Sequence, residues 1–169
     1  MKTINKIIFT LTLLLLMGNS VRAQKLTNTP KVILGVRGGI TFAPTEWDGS
    51  SIEIFPTAGF SASFNIAKLP FYIETGLYYT NRFVTDWDNH SLLAPALLSY
   101  HIPLKNNISI QPFMGPFIAY GFNENTVDFG CRMGVGFSKK HFYINCGYDI
   151  SGNNGVDEDA LFVSVGYNF

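Results

Sequence analysis

The chain of 169 residues carries 12 basic and 12 acidic side chains, so that only 14% of it is charged, beside 15% aromatic residues and 16 glycines. Three of the cations, Lys2, Lys6 and Arg22, fall in the first 23 residues, which leaves the remainder mildly acidic and excludes nucleic acid as a partner class. Many aromatics and glycines with few charges also argue against a soluble α/β enzyme; the mixture suits short strands, tight turns and interfacial rings.

At the start of the chain, Lys2 and Lys6 precede an apolar run from Ile7 to Met17, and Val21-Arg22-Ala23 stand before Gln24. This pattern predicts an export signal cleaved after Ala23, with residues 1–23 as signal peptide and 24–169 as one domain. The run is short for a spanning helix, which needs about 20 apolar residues. No Cys follows the small residues, so a lipid-anchored mature end is not expected.

Beyond Gln24, alternation of side-chain character predicts eight strands, at 32–42, 55–66, 71–83, 91–102, 108–120, 127–138, 141–150 and 160–169. Strands of roughly 10 to 13 residues are long enough to cross a bilayer at a tilt. No segment after the signal shows a helical period. The connections at 67–70, 103–107 and 138–141 are compact and basic, with Lys68, Lys105, Lys139 and Lys140. The intervening ones are mostly longer and collect Glu46, Asp48, Glu53, Asp86, Asp88, Glu124, Asp157, Glu158 and Asp159. In an up-and-down barrel every second connection lies at the same end, so one end is acidic and is expected to face outward.

Each strand has two unlike faces, because successive side chains point opposite ways. The first sets Val32, Leu34, Val36, Ile40 and Phe42 against Ile33, Gly35, Arg37, Gly39 and Thr41. In the third, Phe71, Ile73, Thr75, Leu77 and Tyr79 oppose Tyr72, Glu74, Gly76, Tyr78, Thr80 and Arg82. The sixth and seventh repeat the division, and the last nine residues end the chain on Leu161, Val163, Val165, Tyr167 and Phe169 opposite Ser164, Gly166 and Asn168. A soluble barrel would turn the apolar face inward, a membrane barrel outward. The glycines decide: Gly35, Gly39, Gly59, Gly76, Gly115, Gly130, Gly134, Gly136, Gly147 and Gly166 all fall on the mixed face, where eight strands crowding a narrow axis require small residues. The polar face therefore lies inside. The expected fold class is all-β, an eight-stranded antiparallel up-and-down transmembrane β-barrel in the outer membrane.

Its lumen would hold Arg37, Arg82 and Arg132 against Glu74, Asp128 and Asp149, a balance of charge that predicts a paired, hydrogen-bonded plug. An open pore is disfavoured, since an eight-stranded interior is just wide enough for side chains to fill.

These segments together resemble the PorT-like outer-membrane β-barrel family of the Bacteroidetes over nearly all of the chain after the signal. The resemblance is carried by Leu34-Gly35-Val36-Arg37-Gly38-Gly39, Pro95-Ala96-Leu97-Leu98 before Tyr100, and Gly115-Pro116-Phe117. The segment from Asp128 to Gly136 and the terminal Gly166-Tyr167-Asn168-Phe169 complete it. It implies an eight-stranded barrel in a family whose members mostly have no assigned chemistry. Relatives often carry a Glu two residues before the strand-four Pro and a Lys four after it; here Leu93 and Ser99 occupy those places, so both charges are lost together. That departure weakens assignment to the type IX secretion accessory that names the family.

No catalytic site is expected. Ser99 and His101 share a face but lie beside a short basic turn at the periplasmic end, the wrong leaflet for remodelling lipopolysaccharide. Adjacent His90 and Ser91 point to opposite faces, and His141 lies in a turn. The acidic loop residues Asp86, Asp88, Asp157, Glu158 and Asp159, with Trp87, are candidates for ion or partner contact, although neither loop has the spacing of a dedicated calcium site. Trp47 and Trp87 are expected in or above the aromatic belt at the outer interface. Cys131 and Cys146 are expected to be free thiols, with the hairpin folded about Lys139-Lys140 so that Cys131 lies near Tyr148 and Cys146 near Met133. The reading is a monomeric, non-enzymatic barrel with a plugged lumen, without cofactor or metal, contacting outer-membrane lipid and serving envelope structure or surface interaction. The alternatives are a part of a secretion or assembly machine, a lipid-modifying enzyme, and a soluble secreted barrel lined by its apolar face.

Overall fold

Alternating side chains that are large and apolar on one face and small or polar on the other give each strand of this chain two faces to bury differently. The sheet satisfies both by closing on itself. The computed structural model describes residues 32–44, 52–66, 69–81, 90–122, 125–152 and 159–169. The strands are β1 (Val32–Pro44), β2 (Ile52–Asn65), β3 (Phe71–Thr80) and β4 (Ser91–Tyr100, continued as Ile102–Pro103). They are followed by β5 (Ile108–Gly121), β6 (Thr126–Lys139), β7 (Phe142–Ser151) and β8 (Ala160–Asn168). Every strand pairs antiparallel with the next, and β8 pairs back onto β1, so no sheet edge remains. Among the described residues no helix is long and apolar enough to cross a membrane. The spanning elements are the strands.

The expected boundaries are shifted by up to three residues. β1 and β2 extend to Pro44 and from Ile52, because their hairpin keeps pairing through Phe42↔Ile54 and Ala43↔Glu53. β3 stops at Thr80. β4 is interrupted at His101, whose N–H turns to the carbonyl of Pro70 at 2.7 Å. The hairpin between β6 and β7 turns on Lys140 and His141, with Lys140 at φ 56°, a left-handed conformation that suits the first central position of a two-residue loop.

Register fixes the geometry of the whole cylinder. Stepping across partners from Val32 passes Phe64, Ile73, Leu98, Met114, Met133, Tyr148 and Leu161 and returns to β1 at Phe42, ten residues further along. A stagger of that size over eight strands corresponds to a tilt of about 40°. A ten-residue strand so tilted rises roughly 25 Å, the height of the lipid-facing band of an outer-membrane barrel. Every residue on that path is apolar or Tyr, and together they form a continuous girdle that climbs the outer surface from one end of β1 to the other.

The faces follow the parity read from the sequence. Phe60, Leu77, Met114, Phe129, Ile144 and Val165 are exposed on the outside, while Arg37, Ser63, Gln111, Asp128, Arg132 and Asp149 are buried within. That inverted distribution suits hydrocarbon, not water, outside. It overturns the alternative of a soluble carrier with an apolar lining. The glycines act as sockets for lumen rings: a Cβ on Gly130 would lie 2.6 Å from Phe117 Cζ, one on Gly134 2.7 Å from Phe113 Cζ, and one on Gly147 2.6 Å from Phe162 Cζ. Such contacts are closer than packed atoms tolerate, so any larger residue there would displace a ring from the core.

Candidate functional site

Among the described residues the lumen concentrates the polar side chains, and they form layers set by depth. Deepest toward the centre, Arg132 on β6 and Asp149 on β7 are direct cross-strand partners. The guanidinium grips the carboxylate as a fork, Nε donating to Oδ1 at 2.7 Å and Nη2 to Oδ2 at 2.8 Å. Its flat face lies over the Phe162 ring, 4.3 Å from the centroid. Asp149 has no exposed surface, so this is a fully desolvated carboxylate held by two charge-assisted bonds.

The other expected charges take neutral or weaker partners. Arg37 donates to Asn168 Oδ1 at 2.7 Å and to the Val36 carbonyl at 3.1 Å, and stacks 4.1 Å above the Tyr143 ring. Glu74 meets the imidazole of His101, Nε2 to Oε1 being 3.3 Å. Asp128 accepts from Ser151 Oγ at 3.1 and 3.2 Å and from the Phe129 N–H at 2.8 Å. Of the guanidinium–carboxylate network anticipated from composition, the described residues form one Arg–Asp pair. Arg82 lies outside the described residues. Hydroxyl and amide side chains complete the layers: Gln111 donates to Ser109 and Ser138 at 2.7 and 2.9 Å, Asn145 pairs with Ser164, and Thr41, Thr57 and Thr80 form a ladder.

What is left empty is small. Between Arg37, Tyr78, Arg132, Asn145 and Phe162 there is a gap of about 30 Å³, room for about two water molecules. Toward the short-turn end the lumen widens into a vestibule of about 360 Å³, bordered by Tyr72, His101, Gln111, Ser138, Lys140 and His141. His101 stacks on Tyr72 at 3.9 Å there. The partners Asn168, Tyr143 and His101 were missed by sequence reasoning, although each carries the lumen parity of its strand or continues it.

The Ser99 and His101 pair acquires a carboxylate neighbour in Glu74, yet it does not assemble a nucleophile. Ser99 is 1% exposed and its Oγ has no hydrogen-bond partner among the described residues, while His101 turns Nε2 to Glu74. A nucleophile needs its base within hydrogen-bond reach and substrate access.

At the other end, Asp159 accepts from Tyr148 Oη at 3.2 Å, and His90 is engaged with Tyr79. The remaining outer-loop candidates Asp86, Trp87, Asp88, Asp157 and Glu158, together with Trp47, lie outside the described residues. No cluster of three or more His, Cys, Asp or Glu suited to a metal occurs among the described residues. Cys131 and Cys146 are free, but the register differs from expectation by two residues: Cys131 is opposite Ile150 and Cys146 opposite Val135. The hairpin turns one residue later than Lys139-Lys140, which carries the thiols further apart than diagonal neighbours.

A family model described as outer membrane protein beta-barrel domain matches residues 11–169. No curated protein matches the sequence. Among solved structures, the N-terminal β-barrel domain of OprF from Pseudomonas aeruginosa is similar at 14% identity and a TM-score of 0.53, covering 84% of this chain and 100% of that one. OprG from the same organism is similar at 15% identity and a TM-score of 0.52, covering 81% and 95%. Ail of Yersinia pestis, the attachment invasion locus protein solved in a phospholipid bilayer nanodisc, gives 13% identity and 0.52, covering 81% and 99%.

Proposed function

Since the chain belongs to the outer-membrane protein β-barrel domain family and is a protein of the outer membrane, we propose that it works as a closed, non-enzymatic platform for envelope structure or surface contact. The observation that carries this reading is the filled lumen. The forked Arg132–Asp149 pair, the rings seated on glycines and a central gap of only about 30 Å³ support a barrel closed to solutes. A rigid barrel without a pore leaves its outward connections and its periplasmic mouth as working surfaces. Ail, whose name refers to attachment and invasion, has a barrel of the same shape, and we extend surface contact to this chain on that ground together with the acidic character of its outer loops. Asp86, Trp87, Asp88, Asp157, Glu158 and Asp159 are the proposed contact residues.

Within the family we place the chain with the PorT-like barrels of the Bacteroidetes, on the segments quoted above. We further propose export by a signal cleaved after Ala23, a monomeric state consistent with a barrel that satisfies its own backbone hydrogen bonds, and operation without metal or cofactor. The neutral strand four, with Leu93 and Ser99, disfavours the secretion-accessory role within that group.

The test is conductance across planar bilayers holding the purified barrel. Bare-membrane conductance is the expected result, and stable discrete openings abolished by Asp149→Ala would overturn the closed-platform reading. Lipid mass profiles after overexpression check the second half: new acyl-transfer or hydrolysis products that require His101 would make the protein an enzyme.

A further inference from the structure

Among the described glycines within strands, one does not serve the lumen. Gly38 has outward parity, between Ala58 on β2 and Val165 on β8, and a Cβ built there would meet nothing nearer than the Thr57 carbonyl at 4.0 Å. A side chain is therefore absent without any steric demand from the barrel. Gly38 forms part of the floor of an open hollow of about 670 Å³ on the outer surface, walled by Val36, Ile144, Val165, Phe137, Phe142 and Tyr167. Phe142 and Tyr167 meet edge to face at 5.7 Å, and His141 stacks on Tyr167 at 5.3 Å, so the wall is braced.

The hollow lies on the lipid-facing surface toward the short-turn end, and hydrocarbon is what that surface meets. Its lower border is Lys139, the last residue of β6, which makes no ion pair among the described residues. Of the described side-chain carboxylates, Glu74, Asp128 and Asp149 occupy the lumen side of the strands and Asp159 stands at the opposite end beside Tyr148, so none pairs with the ammonium on the outer surface, and the chain-end carboxylate of Phe169 makes no ion pair with it. A carbon-lined groove ending in an uncompensated cation complements a molecule with an acyl chain and an anionic headgroup.

We propose that this hollow seats one anionic phospholipid of the periplasmic leaflet, an acyl chain lying over Gly38 and the phosphate on Lys139. The site goes beyond the platform role and rests only on the outer-membrane location. Filling the hollow is compatible with folding, because the space above Gly38 is open.

Native mass spectrometry of the full barrel released from bilayers of phosphatidylglycerol and phosphatidylcholine provides the test. One phosphatidylglycerol retained per barrel, favoured at least fivefold over phosphatidylcholine, is expected. Gly38→Leu should reduce retention of both lipids about tenfold, whereas Lys139→Gln should abolish the headgroup preference and leave an acyl-chain adduct. Equal retention of the two lipids by the unaltered barrel, or unchanged retention by Gly38→Leu in protein that stays folded in cold SDS, would overturn the proposal. Should Gly38→Leu fail to fold, the Lys139→Gln preference decides it alone.

Discussion

Removing the carboxylate of Asp149 isolates the most costly interaction in the lumen. In Asp149→Ala the Arg132 guanidinium loses two charge-assisted bonds of 2.7 and 2.8 Å yet remains buried over the Phe162 ring. Breaking a buried pair from one side costs about 3–5 kcal/mol. The adjoining gap of about 30 Å³ admits about two waters, which can replace the lost acceptors but not the charge, so the lower end, about 3 kcal/mol, applies. That is a large fraction of a stability of about 5–15 kcal/mol. The double variant Arg132→Met/Asp149→Ala removes the stranded cation and sets a thioether on the same ring, and should recover about 2 kcal/mol of the loss. Urea titration of the barrel in lipid vesicles, read as the fraction migrating folded in cold SDS, measures all of these. A loss under about 1 kcal/mol for Asp149→Ala, or a double variant as unstable as the single, would refute the argument that an unpaired buried charge dominates.

Two further outcomes follow from the faces and the register. Met114 stands at mid-height on the outer girdle, so Met114→Arg should destabilise the barrel by about 2–4 kcal/mol in the same titration, whereas no effect would mean that this face does not meet hydrocarbon. Cys131 and Cys146 are separated along the hairpin, with Val135 rather than Cys131 opposite Cys146. Alkylation of oxidised, denatured protein should therefore add two groups without reductant, and protection of both thiols would contradict the register.

The local periodicity of the chain determined a great deal. Alternation located the strands to within three residues, the contrast of short basic and longer acidic connections set the two ends apart, and the glycines on the mixed face identified the inside. Each of these is written in neighbouring residues, because the face a side chain takes depends only on its parity along the strand. Which lumen groups meet does not follow from parity. It depends on depth, which the ten-residue stagger around the closed sheet sets, and that stagger sums eight registers, one of which turns on Lys140 and His141 rather than on Lys139 and Lys140. Hence three positive and three negative side chains, balanced in composition, contribute one described Arg–Asp pair. Arg37 is carried to Asn168 and Tyr143, near the other end of the chain, and Glu74 to His101. The same reason hid the hollow at Gly38: its walls come from β6, β7 and β8 together with β1, which only closure of the barrel brings beside β8.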